Sequence, residues 1–81
     1  MRRYTTKGEL EEYLEELKEK LNGKLVKYRV SNRAWDLRIE LWLDSARVAV
    51  PKMFEKQVED QIRMVGPVTL GLQFKFEWVV G

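Results

Sequence analysis

The eight residues LRIELWLD, Leu37 to Asp44, alternate between apolar side chains and a second set made of three charged residues and a tryptophan. A period of two is the pattern of a β-strand with one buried face. Its core-facing positions are then Leu37, Ile39, Leu41 and Leu43. Trp42 consequently falls on the charged face, where the core does not require an aromatic side chain.

The segments on either side of this stretch also alternate. KLVKYRVS predicts a preceding strand, with Val26, Tyr28 and Val30 on its apolar side, and ARVAV predicts a short following strand. Two-residue turns at Asn32-Arg33 and Asp44-Ser45 would place apolar residues opposite apolar residues. In that register Val30 faces Trp35, Tyr28 faces Leu37 and Trp42 faces Arg47. The three segments therefore predict an antiparallel meander.

Two helices are predicted around the meander. The first follows a Thr6–Glu9 capping box and ends at Asn22-Gly23. Its apolar stripe consists of Leu10, Leu14, Leu17 and Leu21. The second begins at Pro51 and ends at Gly66-Pro67. Its stripe consists of Phe54, Val58, Ile62 and Val65.

The last segment, VTLGLQFKFEWVV, alternates over thirteen residues and predicts a strand longer than the usual five or six. The predicted order is thus αβββαβ. We expect one compact α+β domain over residues 1–81, in which two helices pack on one face of a four-stranded, mainly antiparallel sheet. Residues 1–5 would form a flexible arm.

The composition argues against catalysis. The chain has no cysteine and no histidine, so the most common general base and the usual soft metal ligands are missing. The five glycines are isolated and form no phosphate-binding loop. We therefore predict a non-enzymatic protein with no cofactor, no metal and no small-molecule substrate.

No apolar run is long enough to cross a membrane, and no signal peptide opens the chain. We expect no membrane partner and a cytoplasmic location. Charged residues make up 35% of the sequence, with only two asparagines and three glutamines. This balance is typical of thermostable proteins and of designed ones.

The excess of positive charge lies in the middle third of the chain, which supplies much of the open face of the predicted sheet. Residues 23–50 carry six basic and three acidic side chains, a net of +3, whereas the whole chain has +2. Aromatic rings that stack on bases, beside cations that meet phosphates, are the usual means of binding single-stranded nucleic acid. Our first hypothesis is a module that binds RNA or single-stranded DNA. Its candidate site residues are Lys27, Arg29, Arg38, Trp42, Arg47 and Lys75.

The order helix, three-strand meander, helix is similar to that of double-stranded RNA-binding domains and of the small Alu-domain proteins of the signal recognition particle. KYRVS, Lys27 to Ser31, resembles a short stretch of the latter. This resemblance implies RNA binding. The chain departs from both families because its second helix opens with PKMFEKQ instead of a lysine-rich turn and because it adds a strand.

A second hypothesis stays open beside the first. The long C-terminal strand and the outward Trp42 are also typical of a protein–protein interaction domain or of a homodimer. A designed protein with no natural function fits the same composition. The sequence does not choose among these three.

Overall fold

The computed structural model describes residues 7–32, 37–65 and 71–80. These residues form two helices and a three-stranded mixed sheet, and they give the order αββαβ. The elements are α1 (Lys7–Lys20), β1 (Leu25–Asn32), β2 (Leu37–Asp44), a 3₁₀ helix (Ser45–Arg47), α2 (Pro51–Val65) and β3 (Leu72–Val79). The sheet order is β1-β2-β3, with β1 antiparallel and β3 parallel to the central strand. The α+β class is confirmed.

The prediction of a third meander strand over ARVAV is wrong. The Asp44 side chain accepts a hydrogen bond from the Ala46 N–H at 2.9 Å, which caps a 3₁₀ helix instead. The Val50 carbonyl already accepts from the Phe54 N–H at 3.0 Å, so α2 begins directly afterwards. A helical crossover brings the next strand back parallel to β2. The four-stranded, mainly antiparallel sheet is therefore replaced, among the described residues, by three mixed strands.

This order also differs from that of the two RNA-binding families named above, which place a third antiparallel strand before the second helix. Of the thirteen-residue C-terminal strand, the structure describes Leu72–Val79 as β3, whereas Val68 to Leu70 lie outside the described residues.

The first helix agrees with its predicted pattern. Leu10, Leu14 and Leu17 are buried and Leu21 packs against them. Asn22 and Gly23 have φ angles of 52° and 93°, the left-handed conformation that ends a helix. Thr6, half of the predicted capping box, lies outside the described residues.

The pairing of β1 with β2 differs from the predicted register. Val30 lies opposite Ile39 and Tyr28 opposite Leu41, each four residues further along β2 than expected. The register then shifts between Leu25 and Lys27, which is a β-bulge. Because of the bulge, Leu25 is buried and Val26 is 43% exposed, the reverse of the predicted alternation.

The core lies between the helices and the sheet. The core-facing side chains of β2 are at most 5% exposed, since β2 has a strand on each side and helices above this face. Val58 and Ile62 of α2 complete this layer, while the inward side chains of β3 are only partly buried. Side-chain hydrogen bonds also join the layers, and the two shortest come from Tyr28 and Trp78. Tyr28 donates to Glu15 of α1 at 2.7 Å, and the Trp78 indole donates to Glu55 of α2 at 2.6 Å.

Candidate functional site

The face of the sheet turned away from both helices is called the open face below. The register arranges its side chains in three rows that run across β1, β2 and β3. The first row is Ser31, Arg38 and Gln73; the second is Arg29, Glu40 and Lys75; the third is Lys27, Trp42 and Glu77. These rows hold four cations and two carboxylates, a difference of two positive charges.

Trp42 is the aromatic centre of this face. Lys27 lies directly opposite it on β1, and the Lys27 ammonium is 4.7 Å from the centroid of the indole ring. At this distance the ammonium is attracted by the electron-rich ring face. Trp42 itself is only partly exposed. The predicted partner of Trp42 was Arg47. The observed partner is Lys27, which is also a cation.

Glu40 occupies the middle of the open face. Its side chain is 15% exposed, and its Oε1 atom lies 3.6 Å from Nε of Arg29. No hydrogen bond reaches that oxygen from the residues the structure describes. Arg29 is 67% exposed, so the ion pair is half in water and contributes little to stability. Glu40 thus places a carboxylate beside Arg29 at the centre of the face.

The remaining open-face cations differ in their pairing. Lys75 lies 3.4 Å from Glu77 on the same strand. Arg38, in the first row, forms no ion pair with any residue that the structure describes. Unlike Arg29 and Lys75, Arg38 can contact an anionic ligand without losing an ion pair to a described residue.

Five of the six predicted site residues lie together on the open face, namely Lys27, Arg29, Arg38, Trp42 and Lys75. Arg47 does not join them, because the segment that carries it is a 3₁₀ helix and not a strand. Its Nε lies 3.3 Å from Asp44, and its guanidinium packs beside Gly23. Arg47 thus lies in the β2–α2 connection, outside the three rows of the open face.

Sequence reasoning missed the pairing of Lys27 with Trp42. The signal was present in the adjacent apolar residues Leu25 and Val26, which break the alternation where the bulge occurs. It also missed two hollows on the helix side that share Phe54 and Gln57, with volumes of about 330 and 260 Å³. Their linings are largely apolar and present no cluster of catalytic groups.

Within residues 7–32, 37–65 and 71–80, no three carboxylates come close enough to hold a metal ion. Neither described helix is long and apolar enough to span a membrane. The fold and site together define a two-layer α+β domain, and no described helix or strand packs on the open, net-positive face of its mixed sheet. Comparison of the chain with known protein families, curated proteins and solved structures gives no match.

Proposed function

We propose that the protein is a non-enzymatic module that binds single-stranded nucleic acid, RNA or DNA, across the open face. The observation that carries this proposal is the Lys27–Trp42 contact at 4.7 Å on a face with four cations. The ring supplies a stacking surface, and the cations on either side supply phosphate contacts.

The energies favour exchange of Lys27 for a base. An exposed cation–π contact contributes about 0.5–1 kcal/mol, whereas a base stacked on an aromatic side chain contributes about 1–3 kcal/mol. When a base displaces the Lys27 ammonium from the Trp42 ring, the long side chain remains free to reach a phosphate. Binding thus forms a base–Trp42 stacking contact and a Lys27–phosphate contact, and it breaks only the weak Lys27–Trp42 contact.

The same comparison applies to Arg29. Its exposed ion pair with Glu40 is worth at most about 1 kcal/mol, and a phosphate offers a second acceptor to the same guanidinium. Arg38 needs no such exchange, because it forms no ion pair with the described residues. Contacts of this kind are not specific for sequence, and we expect a preference for unpaired strands over duplexes.

The experiment is fluorescence anisotropy of labelled oligo(U), oligo(dT) and a hairpin duplex at several salt concentrations. If Lys27, Arg29, Arg38 and Lys75 each neutralise one phosphate, the slope of log K against log salt is about −3. Arg38→Ala should weaken binding to both single strands and make this slope shallower by about 0.7. Trp42→Leu should weaken binding by about 1–3 kcal/mol with little change in slope.

Lys52→Ala is the matched control. Lys52 is an exposed cation at the start of α2, in the layer on the other side of the sheet. Its loss changes the net charge by the same amount as Arg38→Ala. If both variants weaken binding equally, only the net charge matters and the open face is not the site. Unchanged binding by Arg38→Ala and Trp42→Leu also refutes the proposal.

A further inference from the structure

The free edge of β3 is self-complementary. The Leu37 N–H donates to the Gly71 carbonyl at 2.9 Å, which fixes the direction of the backbone groups along the strand. Backbone groups of successive strand residues point to opposite sides, so residues 73, 75 and 77 face β2. The N–H and C=O groups of Phe74, Phe76 and Trp78 therefore point away from the sheet. No strand covers them in the part of the chain that the structure describes.

We propose that this edge pairs antiparallel with the same edge of a second copy, with Phe76 opposite Phe76 on the two-fold axis. The result is a six-stranded sheet. Phe74 then lies opposite Trp78 of the other copy, and all three residues exchange both backbone hydrogen bonds, six in total by this geometry. This inference does not depend on nucleic-acid binding.

The charges select this register. With Phe76 on the axis, Lys75 of each copy lies opposite Glu77 of the other, at the closely spaced, non-hydrogen-bonded positions. A shift of the axis by one residue in either direction places Lys75 opposite Lys75 or Glu77 opposite Glu77. Like charges in directly opposed positions are destabilising. The sequence of β3 thus favours one symmetric pairing over its two nearest alternatives.

Charged side chains of α2 are also complementary between the two copies. Glu55 accepts the hydrogen bond of the Trp78 indole at 2.6 Å, and the Arg63 guanidinium lies 4.9 Å from the centroid of the Phe74 ring. When Phe74 faces Trp78 of the second copy, Arg63 is brought toward Glu55 of that copy. The inward rings of β3 are only partly buried in the single chain, so the pairing also removes aromatic surface from water.

Sedimentation equilibrium of the full chain, from about 1 µM to about 1 mM, tests the proposal. The wild-type protein should form a dimer that survives high salt, because backbone hydrogen bonds and aromatic contacts carry much of the pairing. Lys75→Glu places four carboxylates across the interface, and Glu77→Lys places four ammonium groups there. Each single variant should dimerise at least about tenfold more weakly.

Two further samples make the test specific. The double variant Lys75→Glu/Glu77→Lys restores opposite charges and should dimerise like wild type. An equimolar mixture of the two single variants should form a heterodimer, since each supplies the charge that the other needs. Lys20→Glu on α1, which packs on β1 at the far side of the sheet, is the control and should not change dimerisation.

Circular dichroism should show that each variant stays folded, because Lys75 and Glu77 are both exposed or partly exposed. A wild-type chain that is monomeric at about 1 mM overturns the proposal. So does a dimer that the single charge reversals leave intact, or a mixture of single variants that does not associate.

Discussion

The ammonium group of Lys27 lies 4.7 Å from the centre of the Trp42 ring, and the two residues are directly paired across β1 and β2. The pairing explains how the chain keeps a large aromatic side chain on its charged face. The ring is partly covered by the stem and the charge of a neighbour, and both are displaceable. Under the proposed function, Trp42 would become a stacking surface once a ligand displaces Lys27 from the ring.

The coupling between these two side chains can be measured directly. In a double-mutant cycle with Lys27→Met and Trp42→Leu, we expect a coupling free energy of about 0.5–1 kcal/mol from urea unfolding. Lys27→Arg should keep most of it, because a guanidinium also stacks on an indole. A coupling indistinguishable from zero would show that the contact does not hold in solution.

Glu40 should limit the affinity of the open face for anions. Glu40→Gln removes the carboxylate 3.6 Å from Arg29 and keeps a side chain of the same size. We expect oligonucleotide affinity to rise about two- to fivefold at low salt, in line with an exposed charge pair.

Glu12→Gln on the exposed side of α1 is the control for this prediction and should leave the affinity nearly unchanged. If Glu40→Gln weakens binding, the Glu40 carboxylate contacts the ligand directly. The phosphates then do not lie beside Arg29 as proposed.

The burial of β2 predicts where the domain is most sensitive to truncation. Leu41 is fully buried in the central strand, so Leu41→Ala should lower the free energy of unfolding by about 2–5 kcal/mol. The total free energy of unfolding of a small domain is about 5–15 kcal/mol, so this loss is a large fraction of it. Val80→Ala, at a position that is 88% exposed, should change it by less than about 0.5 kcal/mol. Equal effects in thermal or urea unfolding would contradict the assigned core.

Tyr28 predicts how stability depends on pH. Its hydrogen bond to the Glu15 carboxylate, with burial and the nearby charges of Glu15 and Glu11, raises the pKa of Tyr28 from 10.0 to about 12. The folded protein therefore keeps the phenol proton at a pH where the unfolded chain has lost it. This stabilisation is complete below pH 10 and is lost as pH rises through about 12.

Tyr28→Phe should lower stability by about 1 kcal/mol at neutral pH and should lose less stability than wild type between pH 10 and about 12. Thermal unfolding across this range measures both effects. Tyr13→Phe is the comparison, because burial is the main cause of the raised pKa of Tyr13. If the Tyr28→Phe and wild-type curves remain parallel above pH 10, the hydrogen bond to Glu15 does not control this titration.

Local patterns were sufficient for the helices and for β2, since their periodicity arises from a single buried face. The ARVAV segment shows where such patterns fail. Its alternation fits a strand, but the Asp44 cap and the start of α2 at Pro51 turn it into a connection. Tertiary packing decides whether this segment forms a strand or a 3₁₀ connection, and alternation alone does not predict that packing.

The open face was largely predicted although the register was not. The observed pairing of β1 with β2 differs from the expected one by four residues, an even number. An even shift keeps each side chain on its face and changes only its partners, so Lys27, Arg29, Arg38 and Trp42 stayed together. Lys75 joins them from β3, through its pairing with Glu40. The length of the connection after β1 sets the register, and no local pattern fixes that length.

The bulge at Val26 has a consequence for how the chain can vary in length. Leu25, Tyr28 and Val30 face the core only because one residue between Leu25 and Lys27 is left out of the pairing. Loss of that one residue would leave LKYRV, a regular alternation with the same residues inside. The first strand can therefore gain or lose a residue at this position without exchanging the faces of the sheet. Homologous chains of different length at this point would be expected to keep the same core and the same open face.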